Sequence, residues 1–138
     1  MTDTMLEFIK SRRSTRKFTP KPVTDDKLNQ IVEAGRFAPS GGNCQTTHFI
    51  VVKNAEVLAK LKELVCQEFY KMEVTPGLYK SIVNSINAAK RGDYAFHYNA
   101  PVLIITANQR EYGNNIADCS CALENMMLMA NALDLGSC

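Results

Sequence analysis

Tryptophan is missing altogether, and no two of the five cysteines stand in a CxxC pair. An odd cysteine count without that spacing excludes a simple disulfide framework and suits a reducing compartment. No apolar run approaches the roughly 20 residues needed to span a bilayer. The opening residues Met1-Thr2-Asp3-Thr4-Met5 carry an acid and no hydrophobic stretch, so a secretory signal is not expected there. A Walker loop, GxGxxG, HExxH and zinc-knuckle spacing are absent too. Redox or group-transfer chemistry would therefore need a borrowed group rather than protein side chains. A net charge of +2 is too small to argue for nucleic acid at the level of the whole chain. With 138 residues and 46% hydrophobic composition, the expectation is one domain, 1–138, with one core, soluble and cytoplasmic, and with neither membrane nor nucleic acid as partner.

The charge that is present is concentrated. Arg12-Arg13-Ser14-Thr15-Arg16-Lys17-Phe18 sits inside a window, residues 10–21, that holds six Lys/Arg and no acid. Such a patch calls for an anion. It could be a phosphate-bearing small molecule gripped by guanidinium forks and a serine hydroxyl, or the sequence-blind footprint of a nucleic acid. It could also be a solvated basic segment with no ligand at all.

Thr4-Met5-Leu6-Glu7 has the form of a capping box, and Leu6, Phe8 and Ile9 predict an apolar side to a helix over about 4–12. That helix would deliver Arg12 and Arg13 at its C-terminal end, where cations are favoured. Pro20 and Pro22 impose an extended passage. Thr24-Asp25-Asp26 opens a second helix with Leu28, Ile31, Val32 and Gly35 on its core face, ending near Phe37. Ala38 to Thr47 is loop chemistry, and it feeds His48–Val52, read as a buried strand. Asn54 caps a third helix with Val57, Leu58, Leu61, Leu64, Val65 and Phe69 inward, until Thr75-Pro76-Gly77 breaks it. A fourth helix carries Leu78 to Ala89 and ends at Arg91-Gly92. Val102–Thr106 reads as a strand inside a sheet covered on both faces. From Ile116 to Leu135 nearly every position is small or apolar, which predicts a helix buried on more than one side; a second copy of the chain is the economical cover. Gly136 is its expected stop.

Cys119 and Cys121 lie roughly 200° apart around that helix, so they read as buried small hydrophobes rather than metal ligands. Cys44 and His48 lack an acid to orient them as a nucleophile pair. His97 among Tyr94, Phe96 and Tyr98 reads as packing. The more informative combination is the anion patch with the polar loop. An anionic tail would meet Arg12, Arg13 and Ser14, and a planar head rich in hydrogen-bonding groups would suit Ser40, Asn43 and Gln45. Arg16 would stabilise charge developing on that head.

Four stretches occur in a familiar order: Arg-Arg-Ser-Thr-Arg-Lys-Phe, then Ala-Pro-Ser-Gly-Gly-Asn-Cys-Gln, then Ala-Pro-Val-Leu-Ile-Ile, then an Ala/Met/Leu helix ending Leu-Gly-Ser-Cys. Together they resemble the FMN-dependent nitroreductase family from about residue 5 onward. The resemblance implies an α+β fold with a central sheet flanked by helices and a long buried helix at the interface of an intertwined homodimer. It implies one FMN per subunit, in clefts shared between chains. Arg12, Arg13, Ser14 and Arg16 would be the flavin-binding motif, with Arg12 and Ser14 at the phosphate and ribityl end and Arg16 beside the ring. Pro39, Ser40, Gly41, Asn43 and Gln45 would reach the flavin of the other subunit, and Leu135, Gly136 and Ser137 would lie near its reactive edge. No residue of the chain is expected to act as a catalytic acid or base, and no metal is expected. Where many members read Gln-Pro-Trp, this chain has Gln45-Thr46-Thr47. Members continue past Leu-Gly-Ser-Cys with a strand, a helix and a tail, so the C-terminal part of the fold is expected to be absent from these residues.

The implied function is hydride transfer from NAD(P)H to FMN and on to a nitroaromatic, quinone or related small acceptor. A flavin-holding protein without turnover is the alternative, recognised by retained colour without NAD(P)H oxidation. A nucleic-acid binder using residues 10–21 would instead show steep salt dependence.

Overall fold

The computed structural model describes residues 2–138. Five α-helices and two strands follow one another as α1 (Thr2–Ser11), α2 (Asp25–Arg36), β1 (His48–Val52), α3 (Ala55–Lys71), α4 (Lys80–Arg91), β2 (Leu103–Ala107) and α5 (Asn115–Ala132), with a 3₁₀ turn at Gly41–Asn43 before β1. The fold is α+β. Its two strands pair antiparallel, with Ile50 opposite Ile105 and Val51 opposite Ile104.

The centre of the molecule is the contact of α2 with α5. Ile31 from α2 meets Met126 and Ala130 from α5, and Phe49 and Ile104 pack onto this cluster from one face of the sheet. The α2 periodicity is as expected: Leu28, Ile31 and Gly35 are buried. Gly35 is needed where the two helices and β1 converge, because a β-carbon there would stand 2.9 Å from both Met126 Cγ and Phe49 Cε1. Polar ties lock the pair end to end. Lys27 Nζ donates to the Leu133 carbonyl at 2.7 Å, a cation on the C-terminal end of α5. Asn125 Nδ2 donates to the Ala34 carbonyl at 3.0 Å. Helices α3 and α4 form a second packed pair, with Leu58, Ile86 and Ala89 buried. Phe69 meets Tyr94 edge-on at 5.1 Å. Asn54 caps α3 by accepting from the amides of Glu56 and Val57, and Gly92 closes α4 in the left-handed conformation.

Several expectations are corrected. The N-terminal helix begins at Thr2, which puts Thr4 inside it. Glu7 engages Lys10 at 2.9 Å instead of completing a capping box. Neither strand is buried: Ile50 is 50% exposed, and no residue of β1 or β2 is fully covered, because the pair is sheathed on the Phe49/Ile104 face only. Much of the α3 face expected inside is open, including Val57 and Leu64. On α5 a single stripe at every fourth residue is buried, Asp118, Ala122, Met126 and Ala130, while Ile116 is 79% exposed and Cys121 is on the surface. The apolar surround of this helix is therefore not covered within one chain. The helix also ends before Gly136: Leu133 closes it, and Asp134 takes the left-handed backbone at φ 56°.

Replacing Gly35 with Ala tests the central contact. On an open helix the change is stabilising by about 1 kcal/mol. Here the inserted methyl overpacks, and a net loss of about 1–2 kcal/mol is expected in chemical denaturation. A neutral or stabilising result would contradict the packing described.

Candidate functional site

The basic segment leaves α1 and runs alongside the end of the chain. Ser14 pairs with Ser137 in an isolated parallel bridge, and the Thr15 amide donates to the Ser137 carbonyl at 2.8 Å. Asn131 Nδ2 on α5 donates to Ser11 Oγ at 2.9 Å, so the exit of α1 is fixed on the last turn of α5. Gly136 is where the two segments touch: a β-carbon there would sit 2.7 Å from Thr15 Oγ1. Residues more than 120 positions apart in sequence thus form one wall.

That wall borders two cavities. The smaller, about 270 Å³, is lined by Ser11, Arg12, Arg13, Asn131 and Asp134, and by the Gly136–Ser137 segment. The larger, about 750 Å³, is mainly apolar, with Leu28, Ile31, Phe96, Tyr98, Ile104 and Met126 among its walls and Lys17, Lys21 and Lys27 also lining it. Both share Thr15, Asp134, Leu135, Gly136 and Ser137. A basic lobe and an apolar lobe therefore meet across one strip of backbone.

The guanidiniums differ in their engagement. Arg13 Nη1 donates to the carbonyls of Lys10 at 2.5 Å and Arg12 at 2.9 Å, closing the C-terminus of α1. Arg16 lies over the Tyr98 ring at 5.9 Å from its centroid, a cation–π contact on a wall of the larger cavity. Arg12 Nη1 is buried and has no hydrogen-bond partner. A buried guanidinium nitrogen left unsatisfied is costly, and an anion in the adjoining lobe would satisfy it.

The loop expected to share this site lies elsewhere in the chain. Pro39, Ser40, Gly41, Asn43 and Gln45 line neither cavity. The loop is held at the N-terminal end of α5, where the Gly41 amide donates to Asp118 Oδ1 at 3.1 Å and the Tyr112 hydroxyl donates to the Gly41 carbonyl at 2.9 Å. The rise of a helix puts Asp118 about 20 Å along α5 from Asn131 in the smaller cavity. Within the loop, Ser40 Oγ accepts from the Gln45 amide and Gln45 Nε2 donates to Asn43 Oδ1. The structure brings Arg12, Arg13 and Ser14 together with Leu135, Gly136 and Ser137, and keeps the loop apart from them.

Ser11, Thr15, Asn131 and Asp134 join the first site without having been expected there, and Tyr112 and Asp118 brace the loop. A signal existed for two of them. Asp118 and Asn131 interrupt an otherwise apolar helix, and buried polar groups must find partners. His97 stacks on Phe96 at 5.0 Å, in keeping with a packing role. Cys44 and His48 are both exposed, and among the described residues no group of His, Cys, Asp and Glu could hold a metal. No helix among them is long and apolar enough to cross a membrane.

With this geometry in hand, comparison with known proteins is direct. A sequence profile described as the nitroreductase family matches residues 9–138. The chain belongs to the nitroreductase family. A curated relative from Archaeoglobus fulgidus, assigned provisionally as an NADH dehydrogenase/NAD(P)H nitroreductase, is 32% identical over 132 residues, which is 96% of this chain and 64% of that protein. Among solved structures, a nitroreductase with bound FMN from Bacteroides fragilis superposes with a TM-score of 0.81 at 38% identity, over 93% of this chain and 64% of that one. A second, also with bound FMN, from Desulfitobacterium hafniense, gives 0.80 at 29%, over 96% of this chain and 67% of that one. The chain spans less than two thirds of the archaeal and Bacteroides proteins.

Burial, and secondarily the nearby Lys62 ammonium, hold the His97 imidazole below its usual value of 6.5. The unfolded chain then binds more protons than the folded one as pH drops below about 6.5. Stability from neutral His97 is complete above that value and is lost as pH falls through the lower folded value. His97→Phe is expected to flatten the acid limb of a stability–pH curve measured between pH 7 and 5; an unchanged slope would count against it.

Proposed function

We propose that this chain carries the flavin site of an FMN-dependent NAD(P)H oxidoreductase of the nitroreductase type, working as a homodimer in the cytoplasm. The observation that carries the reading is the unsatisfied, buried Nη1 of Arg12, a residue that lines a basic lobe sharing a wall with an apolar one. FMN has the same division, a phosphate at one end and a planar ring at the other. The FMN-bound relatives support the choice of this molecule over other phosphate esters.

Arg12, with the Ser14 hydroxyl, would hold the phosphate and ribityl end. Arg13 contributes by fixing the end of α1 from which Arg12 projects. Leu135, Gly136 and Ser137 would border the ring, and Arg16, steadied on Tyr98, would supply positive charge beside it. FMN, when bound, supplies the two-electron chemistry that takes a hydride from NAD(P)H and passes it to a nitroaromatic, quinone or related small acceptor. The protein groups bind, orient and exclude water.

The remaining expected residues fit this reading through a second copy. Pro39, Ser40, Gly41, Asn43 and Gln45 line neither cavity of their own chain, and Gly41 is bonded to Asp118, about 20 Å along α5 from Asn131 in the basic lobe. A partner packed on the exposed faces of α1 and α5, where Met5, Leu6, Ile9 and Ile116 are open, would receive this loop at its own flavin.

The test begins with the visible spectrum and an FMN titration. Flavin bands that bleach with NADH or NADPH in the absence of oxygen are expected. Bands that persist would favour a holder without turnover. Arg12→Ala should weaken FMN binding by about 10–100-fold, the worth of a charge-assisted hydrogen bond. Arg16→Ala should weaken it less and slow reduction. Wild-type-like affinity in Arg12→Ala would overturn the placement of the phosphate.

A further inference from the structure

The loop Ser40–Gln45 is unusual in its backbone. Gly42, Asn43 and Gln45 all have positive φ, at 57°, 55° and 54°. Glycine adopts that region freely and asparagine tolerates it, but glutamine is held there against its preference. A strained segment persists only when its surroundings over-determine it. Besides the loop's own bonds, from the Gln45 amide to Ser40 Oγ and from Gln45 Nε2 to Asn43 Oδ1, the loop is anchored at one residue, Gly41. Both peptide groups of Gly41 are taken by side chains more than 70 positions away: its amide by Asp118 Oδ1 and its carbonyl by the Tyr112 hydroxyl. Space is equally restrictive, since a β-carbon on Gly41 would lie 2.2 Å from Asn114 Nδ2 and 2.5 Å from the Tyr112 oxygen.

Asp118 is not a surface acid that happens to touch the loop. It is 5% exposed, in the first turn of α5, and its Oδ2 is buried without a hydrogen-bond partner. The favourable location of an acid at a helix N-terminus offsets part of this burial. Burial and the neighbouring Asp118 also push the Tyr112 phenol above its usual ionisation range, so it remains a donor to the Gly41 carbonyl at neutral pH.

We propose that Asp118 and Tyr112 are positioning residues for the flavin site: a two-sided clamp on the Gly41 peptide that sets the direction of Ser40, Asn43 and Gln45. The proposal rests on the flavin reading above for what the loop touches, but not for the clamp itself. Neither residue contacts the cavity lobes. Both act through the loop, and an aspartate at the start of α5 thereby serves the flavin held at the far end of a partner's α5.

Two measurements on Tyr112→Phe, Asp118→Ala and Asp118→Asn separate the possibilities. The first is amide hydrogen exchange without flavin. The amides of Gly41, Asn43, Cys44 and Gln45 should exchange about fivefold faster or more in Tyr112→Phe, the equivalent of one lost hydrogen bond. The effect should be larger in Asp118→Ala and partly rescued in Asp118→Asn, which keeps an acceptor oxygen, while amides in the middle of α5 stay unchanged. The second is FMN affinity, expected to fall in the same order. Leu58→Ala, destabilised in the α3–α4 pair, should keep wild-type affinity and so separate positioning from a general loss of stability. Unchanged loop exchange would overturn the clamp. Faster loop exchange with unaltered FMN affinity, or equal loss in Leu58→Ala, would overturn its positioning role. A wild-type protein that takes up no flavin would sink the flavin reading, and loop exchange alone would then decide for or against the clamp.

Discussion

A single short bridge closes the site: Ser14 against Ser137, with the Thr15 amide on the Ser137 carbonyl. It joins the segment that follows the first helix to the segment that follows the last. Without it the Arg12 guanidinium and the Leu135–Gly136 backbone would belong to separate surfaces. Everything else in the α2–α5 half of the molecule serves to put these two segments within hydrogen-bond reach. Ile31, Met126 and Ala130 set the distance between α2 and α5, Lys27 holds the α5 terminus, and Asn131 holds the end of α1. The bridge also explains the contact at Gly136, where the Thr15 side chain occupies the space a β-carbon would need.

The second constraint is the length of α5. Its 18 residues separate a basic, cavity-lining end from an end that braces the Ser40–Gln45 loop. In the proposed reading, this one helix carries two groups of residues that would serve flavins in different copies of the chain. The exposed apolar residues follow the same logic. A helix whose mean composition is apolar on all sides has only one covered stripe, and the uncovered faces lie between its two functional ends.

Element types and most boundaries were legible in the sequence because they depend on local rules: the Asn54 cap, the Gly92 terminator, the 3.6-residue spacing of Leu28, Ile31 and Gly35, and the β-branched run at His48–Val52. Burial was less legible. The same apolar strings that mark a strand or helix do not say how many faces are covered, which is why Ile50, Leu64 and Cys121 are on the surface. The site divided in the same way. Arg12 and Gly136 could be named from motif order, and so could the loop. That the loop is held about 20 Å along α5 from the basic lobe follows only from the run of that helix. Asp118 was the least visible of all, since its role depends on a glycine 77 positions earlier that no periodicity connects to it.

The most direct test is an amide NMR titration of the protein with FMN. The bridge places Arg12, Thr15, Gly136 and Ser137 at one cleft, so their resonances should shift together along a single saturating curve. The same curve should flatten when Gly136→Val drives the two segments apart. Shifts confined to other regions, such as the α3–α4 pair, or a saturating response that Gly136→Val leaves intact, would contradict the claim that the joined ends of the chain build the site.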